Sequence, residues 1–242
     1  MADSALLGDG VHLGPGCVVM AHSRIGAAAS LGAGCVVGPY SVIAPAARIG
    51  VGCELEAGCV IGRSPVLGSH SAGRPAAGAV TLGDAVVVGA GAVVMAEASL
   101  AEGVVVGDGA HVRERTSVGP RTVLSRGVAL GSHAQVGAGV HVGADAFLTS
   151  DTIVEDGVRI GARVVAMNDD TMSRHPPGVR TGAPILREGC SVGPAVRLLP
   201  GCEVGAGADV DAGALVRGLV PPGQRVAGVP ALPVPEGTRA AR

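Results

Sequence analysis

The sequence predicts an all-β chain built as a repeating solenoid, and three observations carry this prediction. A bulky aliphatic residue recurs every six positions, which is far from the 3.6-residue period of a helix. Small residues recur at a fixed offset from it. Aromatic residues are almost absent, with one Phe, one Tyr and no Trp among 242 residues, so the core must be thin and filled by branched aliphatic side chains.

The aliphatic series has three runs. The first comprises Leu7, Leu13, Val19, Ile25, Leu31, Val37, Ile43, Ile49, Leu55, Ile61 and Leu67; the second extends in steps of six from Leu82 to Ile160, and the third from Leu186 to Val216. Gly or another small residue usually follows each aliphatic residue. We expect this glycine to suit tight corners, where φ is positive.

The fifth position of each six-residue unit tests the repeat independently. It holds small or β-branched residues, and all six cysteines of the chain fall there: Cys17, Cys35, Cys53, Cys59, Cys190 and Cys202. Two inward positions separated by one outward position are typical of a β-strand. The cysteines are therefore predicted to be small buried apolar residues, and we expect no disulfide, no metal site and no cysteine nucleophile.

Charge and hydropathy exclude several classes of function. The formal net charge is −2, which argues against electrostatic binding of nucleic acid or an anionic membrane over a broad surface. All eighteen basic residues are Arg, so a Schiff-base lysine is excluded. The first residues show no signal-peptide pattern, and no apolar run reaches about eighteen residues. We expect a soluble, cytoplasmic protein.

These repeats resemble those of the hexapeptide-repeat proteins, and the resemblance covers most of the chain. It implies a left-handed parallel β-helix of about ten triangular coils, with three six-residue units per coil. Residues eighteen apart then stack on one another. Members of this family usually form homotrimers with active sites in the clefts between neighbouring subunits.

Two interruptions divide the repeat. The first separates Leu67 from Leu82 by fifteen residues, and the second follows Ala166 and delays the next clear unit to Leu186. Gly and Pro in these segments predict loops outside the solenoid. The first, at about 68–81, is either a tolerated surface insertion or a segment that acts as a lid or partner contact, and the second spans about 168–184. We expect one β-helical domain over residues 1–228 and a short, irregular, Pro-rich tail over 229–242.

Stacking at eighteen residues predicts a polar column on one edge of the prism. It contains Glu97, Arg115, His133, Asp151 and Asp169, with Glu114, Ser132, Ser150 and Asn168 beside it. The equivalent positions at the other two corners are mostly Gly. Because this column leads into the second loop, we expect both to contribute to one binding cleft.

Around the second loop the likeness narrows to nucleotide-sugar N-acyltransferases, in which a strand ending in Asn-Asp precedes a loop that contains Arg. Asn168, Asp169 and Arg174 match that pattern, and the ending Val226-Ala-Gly-Val-Pro-Ala231 is similar to the turn that meets coenzyme A. The resemblance implies transfer of an acyl group, most simply acetyl, from acyl-CoA to an amine on a nucleotide-linked sugar. Substrate contacts are then expected from Asp169, Asp170, Arg174, Arg180 and Arg115, and coenzyme contacts from Arg217, Arg225, Gly228 and Pro230.

Two features depart from that branch, and the second, together with the loop at 68–81, points to an alternative. Gly143 and Thr149 replace the Gln and Tyr that are frequent in that branch. The long N-terminal prism is similar to that of the lipid A acyltransferases, which take acyl groups from acyl carrier protein.

Direct transfer needs a neutral amine, a stabilised oxyanion and a leaving thiolate. His133 is the candidate general base, with Asp151 one coil away to orient it. His175 on the loop is the rival base, and His141 points outward from a nearby face. Asn168 is the candidate donor to the oxyanion or the thiolate.

Two other classes of protein compete with the acyltransferase as an interpretation of this sequence. A γ-type carbonic anhydrase needs three His ligands, two of them five residues apart, and no pair here has that spacing. A non-catalytic β-helical assembly module stays open as an alternative.

Overall fold

The chain forms a three-sided parallel β-solenoid of eleven coils, as seen in a computed structural model that describes residues 2, 4–67, 76, 78–171, 174 and 182–233. Each coil contributes one short strand to each side, and each strand from β1 to β30 pairs in parallel with the third strand after it. The fold class agrees with the predicted left-handed β-helix. Within the described residues there is no helix, and hence none that could cross a membrane.

The three sides are named I, II and III. Side I contains β1 (Leu6–Leu7), β4 (Arg24–Ile25), β7 (Val42–Ile43), β10 (Val60–Arg63), β13 (Val93–Met95), β16 (His111–Val112), β19 (Ala129–Leu130), β22 (Phe147–Leu148), β25 (Val165–Ala166), β28 (Arg197–Leu198) and β31 (Leu215–Val216). Side II contains β2 (His12–Leu13), β5 (Ser30–Leu31), β8 (Arg48–Ile49), β11 (Thr81–Leu82), β14 (Ser99–Leu100), β17 (Ser117–Val118), β20 (Gln135–Val136), β23 (Ile153–Val154), β26 (Ile185–Leu186), β29 (Glu203–Val204) and β32 (Leu219–Val220). Side III contains β3 (Val18–Val19), β6 (Val36–Val37), β9 (Glu54–Leu55), β12 (Val87–Val88), β15 (Val105–Val106), β18 (Val123–Leu124), β21 (His141–Val142), β24 (Arg159–Ile160), β27 (Ser191–Val192), β30 (Asp209–Val210), β33 (Arg225–Ala227) and β34 (Leu232–Pro233).

The core is one column of aliphatic side chains that runs along the axis. The second residue of nearly every strand is buried, and a single cluster of buried residues extends from Val19 to Val226. The fifth position of each unit also faces inward, as predicted: five cysteines are buried and Cys17, in the first coil, is partly buried. All six are free thiols.

The inward Ser, Thr and Cys side chains at this position have a second role that the repeat did not reveal. Several donate to a backbone carbonyl of the next coil, as Ser23 Oγ does to Gly38 O at 2.8 Å and Thr122 Oγ1 does to Gly137 O at 2.7 Å. Cys35 Sγ donates in the same way to Gly50 O at 3.0 Å. A buried polar group is tolerated only when it is hydrogen-bonded, so this ladder explains why hydroxyl and thiol side chains alternate with Ala and Val.

The expected reason for the glycine after each aliphatic residue was wrong. Positive φ falls two residues later, for example at Gly34 (φ 71°) and Gly139 (φ 62°). Glycine directly after the strand is required by close packing instead: a Cβ on Gly32 would lie 2.6 Å from the carbonyl carbon of Gly50 in the next coil. The two glycine positions therefore serve different steric needs.

Two details of the predicted organisation are corrected. Leu67 does not open a further repeat, because Leu82 occupies the next place in the ladder and pairs with Ile49. The tail is not wholly irregular, because Leu232 pairs in antiparallel fashion with Ala227.

Candidate functional site

Both long insertions leave the solenoid at the same edge, where the chain passes from side I to side II. The first lies between β10 and β11 and the second between β25 and β26. The four corners between them carry the predicted polar column. We call this the polar edge and define it as Glu97, Glu114, Arg115, Ser132, His133, Ser150, Asp151 and Asn168. The sequence predicted that this edge leads into the second loop only. The structure shows that the first insertion leaves the solenoid at the same edge.

The part of the polar edge next to the first insertion is covered and internally paired. Arg115 Nε donates to Glu97 Oε2 at 2.6 Å, and the backbone N–H of Gly78 donates to Glu97 Oε1 at 3.0 Å. Glu114 is only 2% exposed and accepts from Nε and Nη2 of Arg113, at 3.0 and 2.8 Å. Arg115, a predicted substrate contact, is thus already engaged with Glu97.

The part next to the second insertion is open to solvent. His133 Nδ1 lies 4.0 Å from Asp151 Oδ1, with the two side chains 48% and 71% exposed. The hydroxyls of Ser132 and Ser150 are hydrogen-bonded at 3.0 Å beside them. An imidazole, a carboxylate and two hydroxyls therefore lie together on one short stretch of surface. His133 lies next to Asp151 there, as the eighteen-residue stacking predicted.

The backbone at this edge is held in an unusual conformation. Glu97, Arg115, His133 and Asp151 have φ values of 61°, 59°, 59° and 63°, in the left-handed region that disfavours side chains other than Gly. The N–H of His133 donates to Glu114 O at 3.1 Å and that of Asp151 to Ser132 O at 3.0 Å. These bonds fix each corner to the one below, so the side chains project from a rigid backbone.

The second insertion begins with Asn168, which is half-buried, lies two residues after the end of β25 and follows Ser150 by eighteen residues in the Ser132–Ser150 column. Asp169 accepts from the backbone N–H and the Oγ1 of Thr171 at 2.7 and 2.6 Å. Arg174 Nε donates to Thr171 O at 2.8 Å, and Asp170 is exposed. Asp169 and Arg174 therefore both shape the start of this loop, whereas the predicted site residues His175 and Arg180 lie outside the described residues.

The predicted coenzyme contacts do not come together. Arg217 lies on the edge between sides I and II, two coils beyond Asn168. Arg225 lies on side III, where its Nε and Nη2 donate to the two carboxylate oxygens of Asp211, each at 2.8 Å. Gly228 and Pro230 follow β33 at the edge between sides III and I, and Gly228 O accepts from Leu215 N–H at 3.0 Å. Of these four residues, only Arg217 lies on the edge between sides I and II, where the polar edge also lies.

His111 is a histidine that sequence reasoning left aside. It lies on side I beside Arg113, and its Nε2 is buried without a hydrogen-bond partner in the part of the chain that the structure describes. Burial lowers the pKa of His111, and the nearby Arg113 and Arg63 guanidinium groups lower it further. The ring is therefore held neutral next to the covered part of the polar edge.

Three residues at the edge were visible in the column but were not predicted as site residues: Glu114, Ser132 and Ser150. Their signal was register, since Ser132 and Ser150 are eighteen residues apart and directly precede His133 and Asp151. Among the described residues, no three His, Cys, Asp or Glu side chains are grouped as a metal site would need.

The first coils of the chain match a known family of repeat sequences. The family described as "Bacterial transferase hexapeptide (six repeats)" matches residues 4–39. A comparison with curated protein sequences gave no match. Among solved structures, the N-acyltransferase AntD from Bacillus cereus, in complex with dTDP and coenzyme A, shares 19% identity over 61% of this chain and 82% of its own, with a TM-score of 0.45.

Two further solved structures are similar in the same range. The UDP-N-acetylglucosamine acyltransferase of Arabidopsis shares 17% identity over 96% of this chain and 70% of its own, with a TM-score of 0.47. PerB from Caulobacter crescentus, in complex with coenzyme A and GDP-perosamine, shares 22% identity over 61% and 57% of the two chains, with a TM-score of 0.32. Residues 4–39 thus match the repeat of that family, and the remaining coils of the solenoid continue the register of the matched segment.

Proposed function

We propose that this chain is an acyltransferase that moves an acyl group, most simply acetyl, from acyl-CoA to the amine of a small acceptor such as a nucleotide-linked amino sugar. The observation that carries the proposal is the solvent-open His133–Asp151 pair on an edge bracketed by two insertions. The match of residues 4–39 to bacterial transferase hexapeptide repeats supports the same class.

The geometry suits direct transfer without a covalent enzyme intermediate. Because Nδ1 of His133 faces Asp151, Nε2 is the nitrogen available to a substrate. The acceptor amine attacks the thioester carbonyl carbon, and Nε2 takes the proton that the amine loses. The C–S bond then breaks, and the imidazolium returns the proton to the leaving thiolate. A carboxylate beside the ring favours the transient imidazolium.

Asn168 is the proposed donor to the developing oxyanion or thiolate. It is half-buried and lies two residues after the end of β25, next to Met167, whose N–H donates to Leu198 O in the next coil at 2.9 Å. A preorganised side-chain amide of this kind is a common form of oxyanion stabilisation. Asp169, Asp170, Arg174 and Arg180 remain proposed acceptor contacts.

A coenzyme site on the same edge would use Arg217, since it lies in line with Asn168 on the side away from the covered part. A guanidinium group binds phosphate oxygens in place of the missing lysine. Arg225 is the weaker candidate, because Asp211 already neutralises it. The protein is proposed to act as a homotrimer.

A transfer assay tests the function. The purified protein is incubated with acetyl-CoA and a panel of amino sugars and their nucleotide-linked forms, and release of free thiol is followed with a chromogenic disulfide. We expect release that depends on both substrates and is lost in His133→Ala. Equal release from the parent and this variant, or none from the parent across short-chain acyl-CoAs and acyl carrier protein, would overturn the proposal.

A further inference from the structure

Side I has one gap in its row of large outward side chains. With the coils counted from β1–β3, Ala129 is the outward residue of the seventh coil and lies between His111 in the sixth and Phe147 in the eighth. The three residues are in direct register, because His111 pairs with Ala129 and Ala129 pairs with Phe147. Two aromatic rings therefore project from the sheet with only a methyl group between them.

The gap has the height of one aromatic ring. Neighbouring strands lie about 4.8 Å apart, so the backbone positions of His111 and Phe147 are separated by about 9.6 Å. This protein shows how rings one coil apart pack: His22 and Tyr40 stack with their ring centroids 5.1 Å apart and an interplanar angle of 24°. A planar ring bound over Ala129 would thus lie at stacking distance from the rings on both sides.

The gap continues along the seventh coil toward the polar edge. The first residue after the strand carries a side chain in the neighbouring coils, where it is Arg113 and Thr149, but it is Gly131 in the seventh. A Cβ on Gly131 would clash with the backbone nitrogen of Ser150, so this position stays clear. We call this feature the trough and define it by its floor and walls: Ala129, Gly131, His111, Arg113, Phe147 and Thr149.

The trough ends at the site on the polar edge. His133 follows Gly131 by two residues in the same coil and is no more than about 14 Å of chain from Ala129. The hydroxyls of Ser132 and Ser150, hydrogen-bonded to each other at 3.0 Å, lie at this end. A ligand that spans the trough and the polar edge therefore needs an aromatic ring at one end and a polar group at the other.

Positive charge lies on the lower wall of the trough. Arg113 is 38% exposed, and its Nε and Nη2 donate to Glu114 at 3.0 and 2.8 Å. These two bonds hold the guanidinium group in place and leave the N–H groups of Nη1 for a further acceptor. Burial lowers the pKa of His111, and the nearby Arg113 and Arg63 lower it further. A neutral ring with two guanidinium groups beside it suits a planar base that carries phosphate.

We propose that the trough is a nucleotide-binding subsite, in which the base of a nucleotide-linked acceptor stacks between the His111 and Phe147 rings and its phosphate groups lie beside Arg113. The sugar then lies at the polar edge, next to His133. The assignment of the nucleotide to the acceptor rests on the proposed function, whereas the stacking of a base in the trough does not.

The base of the acceptor fits the trough better than the adenine of the coenzyme does. In coenzyme A, the long pantetheine arm separates the adenine from the reacting thiol. In a nucleotide-linked sugar, only a ribose and two phosphates separate the base from the sugar. Ala129 and His133 belong to one coil and are four residues apart, so the shorter connection matches the separation between the trough and the polar edge.

Calorimetric titration of the intact protein, with no acyl donor present, tests the subsite. The probes are the diphosphates of uridine, thymidine, guanosine and adenosine, with coenzyme A and ribose 5-phosphate as comparisons. Ala129→Leu fills the gap, Phe147→Leu removes one ring, and Phe147→Tyr keeps that ring. Gln135→Leu, at the outward position of the same coil on side II, is the matched control.

We expect at least one nucleoside diphosphate to bind the parent, Phe147→Tyr and Gln135→Leu with similar affinity. Ala129→Leu and Phe147→Leu should each weaken this binding by roughly 5- to 100-fold, the usual effect of losing a base stack, with the circular dichroism of the parent retained. Absence of diphosphate binding by the parent, or equal affinity in Ala129→Leu, would overturn the subsite. So would ribose 5-phosphate that binds as tightly as the nucleotide. If Ala129→Leu weakens only coenzyme A, the trough belongs to the coenzyme and the assignment to the acceptor fails.

These outcomes are separate from those of the transfer assay. A parent that binds a nucleotide through the trough but transfers no acyl group counts against the proposed function and leaves the subsite in place. A parent that acylates amino sugars but binds no nucleotide overturns the subsite and leaves the transfer reaction in place.

Discussion

His133 and Asp151 lie one coil apart on the same edge, with Nδ1 and Oδ1 4.0 Å from each other and both side chains open to solvent. At this separation the two groups attract one another whenever the ring carries a proton, although they do not share a direct hydrogen bond. The solenoid repeat itself creates this pairing, because it stacks position 133 under position 151.

Replacement of His133 by Ala should lower kcat/KM for acyl transfer by about 10²- to 10⁴-fold, the usual contribution of a general base. Asp151→Asn should reduce it less, since it removes only the charge that favours the imidazolium. Steady-state assays measure both, and His12→Ala, an exposed histidine in the first coil, is the control that should leave the rate unchanged. A loss after His175→Ala with full activity in His133→Ala would move the base to the loop.

Removal of the Asn168 amide should reduce kcat by about 10²- to 10³-fold if this group donates to the oxyanion. Asn168→Ala is the test, and KM for the acyl donor should change little, because the hydrogen bond strengthens only as negative charge develops. Ser191→Ala, on side III, is a surface control. Unchanged turnover in Asn168→Ala would exclude the residue from the site.

The backbone at position 133 predicts a difference between two substitutions that both remove the imidazole. His133 has a φ of 59°, which glycine adopts without strain, so His133→Gly should unfold about 1 kcal/mol less readily than His133→Ala. Denaturant titration followed by circular dichroism measures the difference. Asp145, with the same φ of 59° at another edge, should show the same gap between its Gly and Ala variants, and no gap at either position would contradict the steric argument.

The cysteines should differ in their reactivity toward an alkylating reagent. Burial raises the pKa of the Cys53 thiol to about 11 and that of Cys190 and Cys202 to about 12, so these thiols are both inaccessible and protonated at neutral pH. Mass spectrometry of the native protein after brief exposure to iodoacetamide should therefore find the label on Cys17, the partly buried one. Urea should expose all six, and early labelling of Cys190 or Cys202 in native buffer would show that the core opens.

The stability of the fold should decrease as the pH falls through the range in which free histidine titrates. The pKa of His111 is lowered in the folded protein, chiefly by burial, so below about pH 6.5 the unfolded chain binds a proton that the folded chain does not. The free energy of unfolding is then lost progressively between the unfolded and the folded pKa. His111→Gln should flatten this dependence between pH 7 and pH 5 in denaturant titrations, whereas His12→Gln should not; identical pH profiles for His111→Gln and the parent would contradict it.

Much of the fold could be predicted from the sequence because the same six-residue pattern of buried and exposed positions recurs along most of the chain. The period at Val19, Ile25 and Leu31 predicted strands that face a common core, and the cysteines predicted a second inward position. The pairing of Leu82 with Ile49 could not be predicted, because the insertion ends wherever the ladder regains its register, and Leu67 satisfies the spacing equally well. Register in a sheet is decided by packing between coils, which a local pattern does not contain.

The candidate site was only partly predictable for a related reason. Stacking at eighteen residues was enough to bring His133 next to Asp151, and it also grouped Ser132 with Ser150. It did not indicate that Arg115 would be ion-paired with Glu97 or that Glu114 would be buried against Arg113, since side-chain pairing depends on rotamers that spacing does not specify. Sequence spacing specifies which corners align, whereas the state of each side chain depends on contacts from outside the repeat.

The location of both insertions at one edge affects how this architecture can diversify. The ladder resumes in register after each insertion, as the pairs Leu82–Ile49 and Leu186–Val154 show. Loop length and composition can therefore drift or be exchanged without any change in the aliphatic column. Substrate preference and thermal stability should then evolve as separate traits. Insertions taken from distant homologues should therefore be accepted in the fourth and ninth coils without loss of the fold.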